Sequence, residues 1–170
     1  MKIRLVRHTD MADIAKIHIE SWQQAYRGIV PDEFLDAMDL RSRTELWEKR
    51  FAAVQDSLFV AEVASEVRAW ALCGKSRVAS DDTYMSELYA IYADPQFWGQ
   101  GLGRGLIEAV HAHVIEHAYT RIMLWVLTDN QRARRFYESC GYVNTEIRQN
   151  IEISGVQIEE LRYERSLQTV

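Results

Sequence analysis

The order of apolar and polar positions along the chain predicts an alternation of strands and helices. Residues 2–7, KIRLVR, alternate charged and apolar side chains, which is the period-two pattern of a strand with one solvated face. From about residue 10 to residue 27 the apolar side chains recur at helical spacing, and Gly28 ends the pattern. Two short helical pieces, DEFLDAM and RTELWEKRF, precede the next strand.

The rest of the chain predicts strands joined by turns, with two further helices. The predicted elements are, in chain order, strands 57–64 and 67–79, a loop at 81–83, strand 84–93, a helix to about 118, strand 121–127, a helix from Asp129 or Asn130 to about 139, and strands 141–153 and 157–167. Strand 121–127 is almost wholly apolar, so we expect it to be covered on both faces. The order β-α-α-β-β-β-α-β-α-β-β predicts an α/β (α+β) fold with a mixed sheet, in a single domain over 1–170.

Composition narrows the class of protein. The chain has 170 residues, of which 48% are hydrophobic and 26% charged, as in ordinary globular proteins. A net charge of −5 without a basic tract argues against nucleic acid as a partner. The two cysteines, Cys73 and Cys140, form no CxxC pair, which favours a reducing compartment. No apolar run approaches the roughly 20 residues of a membrane helix, and the charged N-terminus does not resemble a signal peptide. We therefore expect a cytoplasmic protein without a membrane partner.

A glycine-rich segment follows strand 84–93. Residues 95–106, PQFWGQGLGRGL, hold four of the eight glycines in the chain. A strand, a glycine-rich turn and a helix form an anion site, because the first amides of a helix lack partners and glycine lets phosphate oxygens approach them. The phosphate-binding P-loop pattern fails because Arg104 and Gly105 follow Gly103, and the dinucleotide pattern GxGxxG fails in every register. The alternative is a turn whose glycines only allow close packing on a neighbouring strand.

A second pattern concerns metal binding. Residues 113–117, HVIEH, match the His-x-x-Glu-His pattern of some zinc proteases. The pattern is short enough to arise by chance, its helix already begins at the glycine-rich segment, and no acidic third ligand follows. We expect no metal.

Two segments carry a resemblance to a known family. Residues 91–110, IYADPQFWGQGLGRGLIEAV, resemble the acyl-CoA-binding motif of GNAT-type N-acetyltransferases, Gln/Arg-x-x-Gly-x-Gly/Ala between a strand and a helix. Gly101 and Gly103 match its glycines, whereas Trp98 stands where the family has Gln or Arg. Residues 130–142, NQRARRFYESCGY, resemble the family segment Asn-x-x-Ala-x-x-Phe-Tyr-x-x-x-Gly-Phe/Tyr. The element order also fits the family over about 2–165, which implies the GNAT fold.

The resemblance implies acetyl transfer from acetyl-CoA, as cosubstrate, to a primary amine in a ternary complex. In the family, the strand before the glycine loop separates from the next parallel strand and offers its main-chain groups to the pantetheine and the thioester. Ile91 and Ala93 match these groups; the alternative is an ordinary paired strand. The implied cofactor-binding residues are Ile91, Tyr92, Ala93, Gly99, Gln100, Gly101, Leu102, Gly103, Arg104 and Asn130. Asn130 would hold the pantetheine or a water, cap a helix, or do both.

Two residues are candidates for catalysis. Tyr137 matches the family tyrosine that protonates the leaving thiolate, which suits a phenol with a pKa near 10 and a thiol near 8.5; the alternative is a packing tyrosine beside Phe136. Glu87 is the only carboxylate of residues 84–93 and matches the strand that carries a general base in many members. By alternation it shares a face with Tyr89, Ile91 and Ala93. Alternatively, Glu87 is a solvated residue at the strand start and water acts as the base.

The sequence leaves the identity of the acceptor amine open. The first helices match the variable substrate wall of the family, where Trp22, Tyr26 and Phe34 would line an acceptor pocket or belong to the core. A small amine, an amino acid, an antibiotic and a protein N-terminus all fit. Homodimerisation through the last strands is a further expectation. The rival hypothesis is an acyl-CoA-binding or sensor protein of the same fold without catalysis.

Overall fold

The computed structural model describes residues 1–78 and 83–167, in which helices flank a sheet. The strands are β1 (Lys2–Leu5), β2 (Leu58–Val63), β3 (Glu66–Lys75), β4 (Met85–Ala93), β5 (Arg121–Leu127), β6 (Val143–Ile153) and β7 (Val156–Ser166). The helices are α1 (Met11–Ala25), α2 (Asp32–Asp36), α3 (Leu40–Val54), α4 (Leu102–Glu116) and α5 (Gln131–Ser139). Short 3₁₀ turns lie at His8–Asp10 and Pro95–Phe97.

The strands form a seven-stranded sheet in the order β1-β2-β3-β4-β5-β7-β6. Neighbouring strands are antiparallel except β4 and β5, which are parallel. The predicted mixed sheet and α/β class are therefore confirmed. No helix in the described part of the chain is both long and apolar enough to span a membrane.

Helices cover both faces of the sheet. On one face α4 and α5 pack on a core that includes Leu106, Val110 and Leu124, and on the other α1 and α3 pack around Trp47 and Trp70. Strand β5 lies between the two layers, and its residues Ile122, Met123 and Leu124 are at most 1% exposed. The prediction that this strand is covered on both faces is confirmed.

The segment between β1 and β2 differs from the prediction. It contains three helices, as the helix over 10–27 and the two short pieces predict, but the last piece, RTELWEKRF, is part of the longer, 15-residue helix α3. The Asp39 side chain accepts a hydrogen bond from the Ser42 amide at 2.7 Å, which caps this helix earlier than the apolar pattern indicates. Strand β3 ends at Lys75 rather than residue 79. Most of the predicted loop at 81–83 lies outside the described residues.

Strands β4 and β5 pair at only one end. Their register covers Met85–Arg121, Ser86–Ile122 and Glu87–Met123. Beyond these pairs, residues 88–93 of β4 and 124–127 of β5 continue without pairing to each other, while each strand keeps its outer neighbour. The sheet is consequently open at its centre, where unpaired main-chain groups of β4 face the gap.

A β-bulge interrupts β4 just where the gap begins. Leu72 of β3 lies opposite Ala90, but Cys73 lies opposite Leu88, so Tyr89 is an extra residue. Leu88, Ile91 and Ala93 all pack toward α4, which puts Glu87 on the opposite face. The prediction that Glu87 shares a face with Ile91 and Ala93 is wrong, because alternation fails across the bulge.

Candidate active site

The gap between β4 and β5 opens into a cavity of about 780 Å³. Its walls come from the second halves of both strands, the glycine-rich loop, the start of α5, helix α1, and strands β6 and β7. All of the predicted cofactor-binding residues line it except Gln100, and Tyr137 lines it as well, whereas Glu87 does not. The cavity thus gathers residues that are far apart in the sequence.

The free edge of β4 supplies main-chain groups to the cavity. The Asp94 amide donates to the Arg68 carbonyl at 2.8 Å, so alternate residues along β4 direct their peptide groups toward β3. The peptide groups of Ile91 and Ala93 therefore face the gap, whereas that of Tyr92 faces β3. The Ala93 carbonyl already accepts hydrogen bonds from Ser21 Oγ at 2.7 Å and Trp98 Nε1 at 2.9 Å. The Ile91 peptide group and the Ala93 amide remain for a ligand.

The glycine-rich loop presents the start of α4 to the same cavity. Gly99 and Gly101 have φ angles of +76° and +86°, in the left-handed region that favours glycine. Gly101 is the N-cap of α4 and no side chain caps this end. The amides of Leu102, Gly103 and Arg104 lie in the first turn and have no carbonyl four residues earlier within the helix. These amides and the helix dipole form a site for an anion.

The other two glycines serve packing. A Cβ at Gly103 would lie 3.0 Å from the ring carbon Cζ of Phe136, and one at Gly105 would lie 2.8 Å from Met1 Cε. The close-packing alternative therefore holds for Gly103 and Gly105, whereas the positive φ angles of Gly99 and Gly101 shape the turn.

Trp98, whose role the motif leaves open, joins two walls of the cavity. Its indole N–H holds the Ala93 carbonyl, and the Arg132 guanidinium carbon lies 3.2 Å from its ring centroid. Arg132 belongs to α5, so this contact crosses from the loop before α4 to the helix after β5. Burial lowers the pKa of Arg132 below its usual value. The side chains of Gln100 and Arg104 are exposed by comparison, with Gln100 donating to the Gln96 carbonyl.

Tyr137 places a phenol in the cavity wall. The residue is 8% exposed, packs against Phe136 and Tyr142, and makes no hydrogen bond to another described residue through its hydroxyl. Burial is the main reason why its pKa lies above the ordinary value, with the nearby Tyr92 adding to the effect. The hydroxyl is therefore protonated at neutral pH. Tyr137 therefore both packs against neighbouring rings and borders the cavity.

Asn130 is both a helix cap and a cavity residue. Its Oδ1 accepts a hydrogen bond from the Ala133 amide at 3.1 Å, which caps α5, and the residue is 8% exposed. The side-chain amide group donates to no described residue, so it is available to a ligand.

Glu87 lies away from the cavity in an ion pair. It is 1% exposed and accepts hydrogen bonds from the Arg77 amide at 2.8 Å, Arg77 Nε at 3.1 Å and Arg77 Nη2 at 2.5 Å. The alternative of a solvated residue at the strand start is wrong, because the carboxylate is buried. The residue is not among those that line the cavity.

Glu160 of β7 is a cavity residue that no motif or spacing in the sequence singled out. It is the only acidic residue among the described residues that line the cavity. Glu159 and Glu160 are adjacent in a strand and must point to opposite faces, which is the signal that one of them turns inward. Burial raises the pKa of Glu160, and the Glu87 carboxylate acts in the same direction, whereas the Gln149 hydrogen bond and Arg77 act against them.

Of the three residues predicted to line an acceptor pocket, two line the cavity and one does not. Trp22 and Tyr26 line the cavity with their rings 5.0 Å apart, whereas Phe34 packs into a small core beneath α2.

The HVIEH segment shows no metal-binding arrangement of its two histidines with a third ligand in the described part of the chain. In it, His117 Nδ1 donates to the His113 carbonyl at 2.8 Å. The described residues contain no group of three or more side chains that could hold a metal ion.

Comparison with known proteins places this arrangement in a family. Residues 14–142 match the model of the Acetyltransferase (GNAT) family. The chain is 29% identical over 160 residues to the protein named uncharacterized N-acetyltransferase YuaI of Bacillus subtilis (strain 168), covering 94% of this chain and 89% of that protein.

Solved structures agree on the fold. The PaiA N-acetyltransferase of Thermoplasma acidophilum, crystallised in complex with coenzyme A, superposes with a TM-score of 0.75 at 17% identity and covers 97% of this chain and 98% of that one. The protein yncA of Salmonella typhimurium, solved with its cofactor acetyl-CoA, superposes with a TM-score of 0.73 at 20% identity, over 98% and 94% of the two chains. Since the family model covers most of the chain and the fold agrees throughout, the chain belongs to the GNAT acetyltransferase family.

Proposed function

We propose that the protein transfers the acetyl group of acetyl-CoA to a primary amine by direct attack in a ternary complex. The observation that carries the proposal is the opening between β4 and β5. It brings unpaired main-chain groups, an uncapped helix start and the Tyr137 phenol into one cavity. Family membership supports an acetyltransferase, and the two structural neighbours bind coenzyme A and acetyl-CoA.

The cavity fits acetyl-CoA group by group. The amides of Leu102, Gly103 and Arg104, together with the turn at Gly99 and Gly101, suit the pyrophosphate, because bare backbone and the α4 dipole both favour an anion. The Ile91 peptide group and the Ala93 amide suit the pantetheine amides and the thioester carbonyl. The free amide of Asn130 adds a donor on the opposite side.

The chemistry follows from these positions. A main-chain N–H of β4 polarises the thioester carbonyl and stabilises the negative charge that develops on its oxygen. As the C–S bond breaks, Tyr137 gives its proton to the departing sulfur. Burial keeps this phenol protonated until the thiolate forms, and the same low-dielectric surroundings raise the proton affinity of the thiolate.

Direct attack is favoured over an acetylated enzyme because no thiol is suitably placed. Cys73 and Cys140 are at most 5% exposed, and neither lines the cavity. Burial raises the pKa of Cys73 to about 12, which keeps it in the unreactive thiol form.

The test is an initial-velocity study with acetyl-CoA and a panel of primary amines, followed by release of the CoA thiol. A ternary-complex mechanism predicts intersecting reciprocal plots and no acetyl-protein on rapid quenching. Parallel plots with an acetylated protein would overturn direct attack. Tight acetyl-CoA binding without amine-dependent thiol release would instead favour the sensor hypothesis. The single domain over 1–170, the homodimer and the cytoplasmic location stay predictions.

A further inference from the structure

We infer that Glu160 binds the ammonium group of the acceptor and takes its proton, and that the acceptor is a primary amine with one apolar substituent. This inference rests on the proposed acetyl transfer and deepens it by naming the acceptor class. Glu160 belongs to neither the glycine-rich segment nor the segment 130–142, and its place in the cavity wall is what points to a role.

Glu160 lies where the sheet is open. It pairs with Leu127, the last residue of β5, on one side and with Gln149 of β6 on the other. Its neighbour Leu161 packs in the α4 core, so Glu160 points to the face that carries α1 and α2. The side chain therefore borders the cavity from the side opposite α4.

Charge is distributed unequally along the cavity wall. Three arginines, Arg104, Arg132 and Arg135, line it at the start of α4 and on α5, where the anionic part of acetyl-CoA is expected. Glu160 supplies the negative charge on the described part of the wall. An anionic cosubstrate would pair with the arginines at one end, and a cationic acceptor would pair with Glu160 at the other.

The Glu160 carboxylate is oriented but not fully used. Gln149 Nε2 donates to its Oε2 atom at 2.9 Å, and no described residue donates to Oε1. The charged and titratable groups that act on it are Arg77, just after β3, Glu87 of β4, and the phenols of Tyr26, just after α1, and Tyr92 of β4. A partly buried carboxylate with one open oxygen suits an ammonium ligand.

The surroundings of Glu160 are apolar and aromatic. Trp22 of α1 and Tyr26, which caps its C-terminal end, form one wall, and Trp125, Ile151 and Ile153 form another. Aromatic faces attract an ammonium group and also pack against flat or aliphatic substituents. A second ammonium group would find no further carboxylate among the described lining residues, so a polyamine would leave a charge unpaired.

Each proton transferred in the reaction has a donor and an acceptor. The bound ammonium gives one proton to Glu160 as an N–H bond breaks and an O–H bond forms. The neutral nitrogen attacks the thioester carbon, the C–N bond forms and the C–S bond breaks, and the Tyr137 proton goes to sulfur. The remaining extra proton on nitrogen restores Tyr137, and Glu160 releases its proton to solvent. The net products are the amide, the CoA thiol and one proton.

The test compares Glu160→Gln with Glu159→Gln and uses 2-phenylethylamine as the probe. Glu159 is the matched control, because it lies next to Glu160 but bonds to Thr128 and Arg148 instead of lining the cavity. Glu160→Gln is expected to lower kcat/KM for the amine about 100-fold, to abolish the acidic limb of its pH profile, and to leave acetyl-CoA affinity unchanged. Glu160→Asp should restore part of the rate and the pH dependence. Glu159→Gln should match the wild type.

Two further measurements separate the outcomes. Binding of 2-phenylethylamine to the protein saturated with CoA should weaken at least 10-fold in Glu160→Gln, and this readout needs no turnover. Unchanged binding and unchanged kcat/KM in that variant would overturn the role of Glu160. A higher kcat/KM for spermidine or methylamine than for 2-phenylethylamine would overturn the acceptor class. If the wild type binds the probe through Glu160 but acetylates no amine, the proposed acetyl transfer fails while the binding site stands.

Discussion

The guanidinium of Arg132 lies over the ring of Trp98, 3.2 Å from its centroid, and connects α5 with the loop before α4. The same indole donates to the Ala93 carbonyl at the end of β4. Trp98 therefore holds the free edge of β4, the glycine-rich loop and α5 in one arrangement. Where the family motif has Gln or Arg, Trp98 supplies ring packing and a single directed hydrogen bond.

Replacing Trp98 by alanine should weaken acetyl-CoA binding. The variant loses one hydrogen bond of about 0.5–1.5 kcal/mol and a cation–π contact of about 0.5–2 kcal/mol. We expect the Kd of acetyl-CoA to rise about 10-fold, measured by isothermal titration calorimetry. Trp98→Phe keeps an aromatic ring beneath Arg132 and should lie between the variant and the wild type. Equal affinity in all three proteins would contradict this role of Trp98.

Stability should decrease as the pH falls, because the half-buried His18 ring is surrounded by aromatic side chains that favour its neutral form. Its Nδ1 atom has no hydrogen bond, and its ring packs among Trp22, Trp47, Trp70 and Tyr92. Burial lowers the pKa of His18 to about 3, with Arg43 and Arg50 acting in the same direction. Its stabilising contribution is complete above the unfolded pKa, near 6.5, and is lost as the pH falls from there toward 3.

The variant His18→Phe isolates this effect. The phenyl ring fits the aromatic surroundings and cannot be protonated, so the free energy of unfolding should fall less steeply between pH 6 and 4. The expected difference is about 1 kcal/mol per pH unit, measured by urea denaturation at several pH values. His8→Gln, at an exposed position, is the control and should keep the wild-type slope. Identical slopes in His18→Phe and the wild type would disprove the assignment.

Glu87→Gln should affect stability more than catalysis. The variant removes the charge from a buried carboxylate that accepts three hydrogen bonds from Arg77. We expect the free energy of unfolding to fall by about 1–3 kcal/mol, while kcat stays within a few-fold of the wild type. Because the Glu87 charge raises the pKa of Glu160, the acidic limb of the pH profile should move to lower pH. A 100-fold loss of kcat without this shift would instead make Glu87 the base.

The features that could be predicted from the sequence are those encoded locally. The strands, the helices after β4 and β5, and the two family segments depend on periodicity, capping residues and short spacings, and they place Gly101, Asn130 and Tyr137 in the cavity wall. The Asn130 cap is a local hydrogen bond of this kind. Such features are encoded within a few residues of one another.

The remainder depends on contacts between distant parts of the chain. The extra residue Tyr89 changes the face on which Glu87 lies. No local pattern marks this bulge, because it arises from the register between β3 and β4. Glu160 enters the cavity because β7 lies beside the open end of β5. The ring of Trp98 has a role only once Arg132 of α5 is beside it. Each of these features follows from sheet order rather than from sequence spacing.

Tyr137→Phe gives the most direct test of acetyl transfer in this cavity. The variant removes one hydroxyl that makes no hydrogen bond to another described residue, so the fold and the acetyl-CoA site should persist. We predict that kcat for acetylation of 2-phenylethylamine falls about 100-fold, while the Kd of acetyl-CoA measured by calorimetry stays within two-fold of the wild type. Wild-type kcat in Tyr137→Phe would contradict the assignment of this phenol as the proton donor to the leaving thiolate.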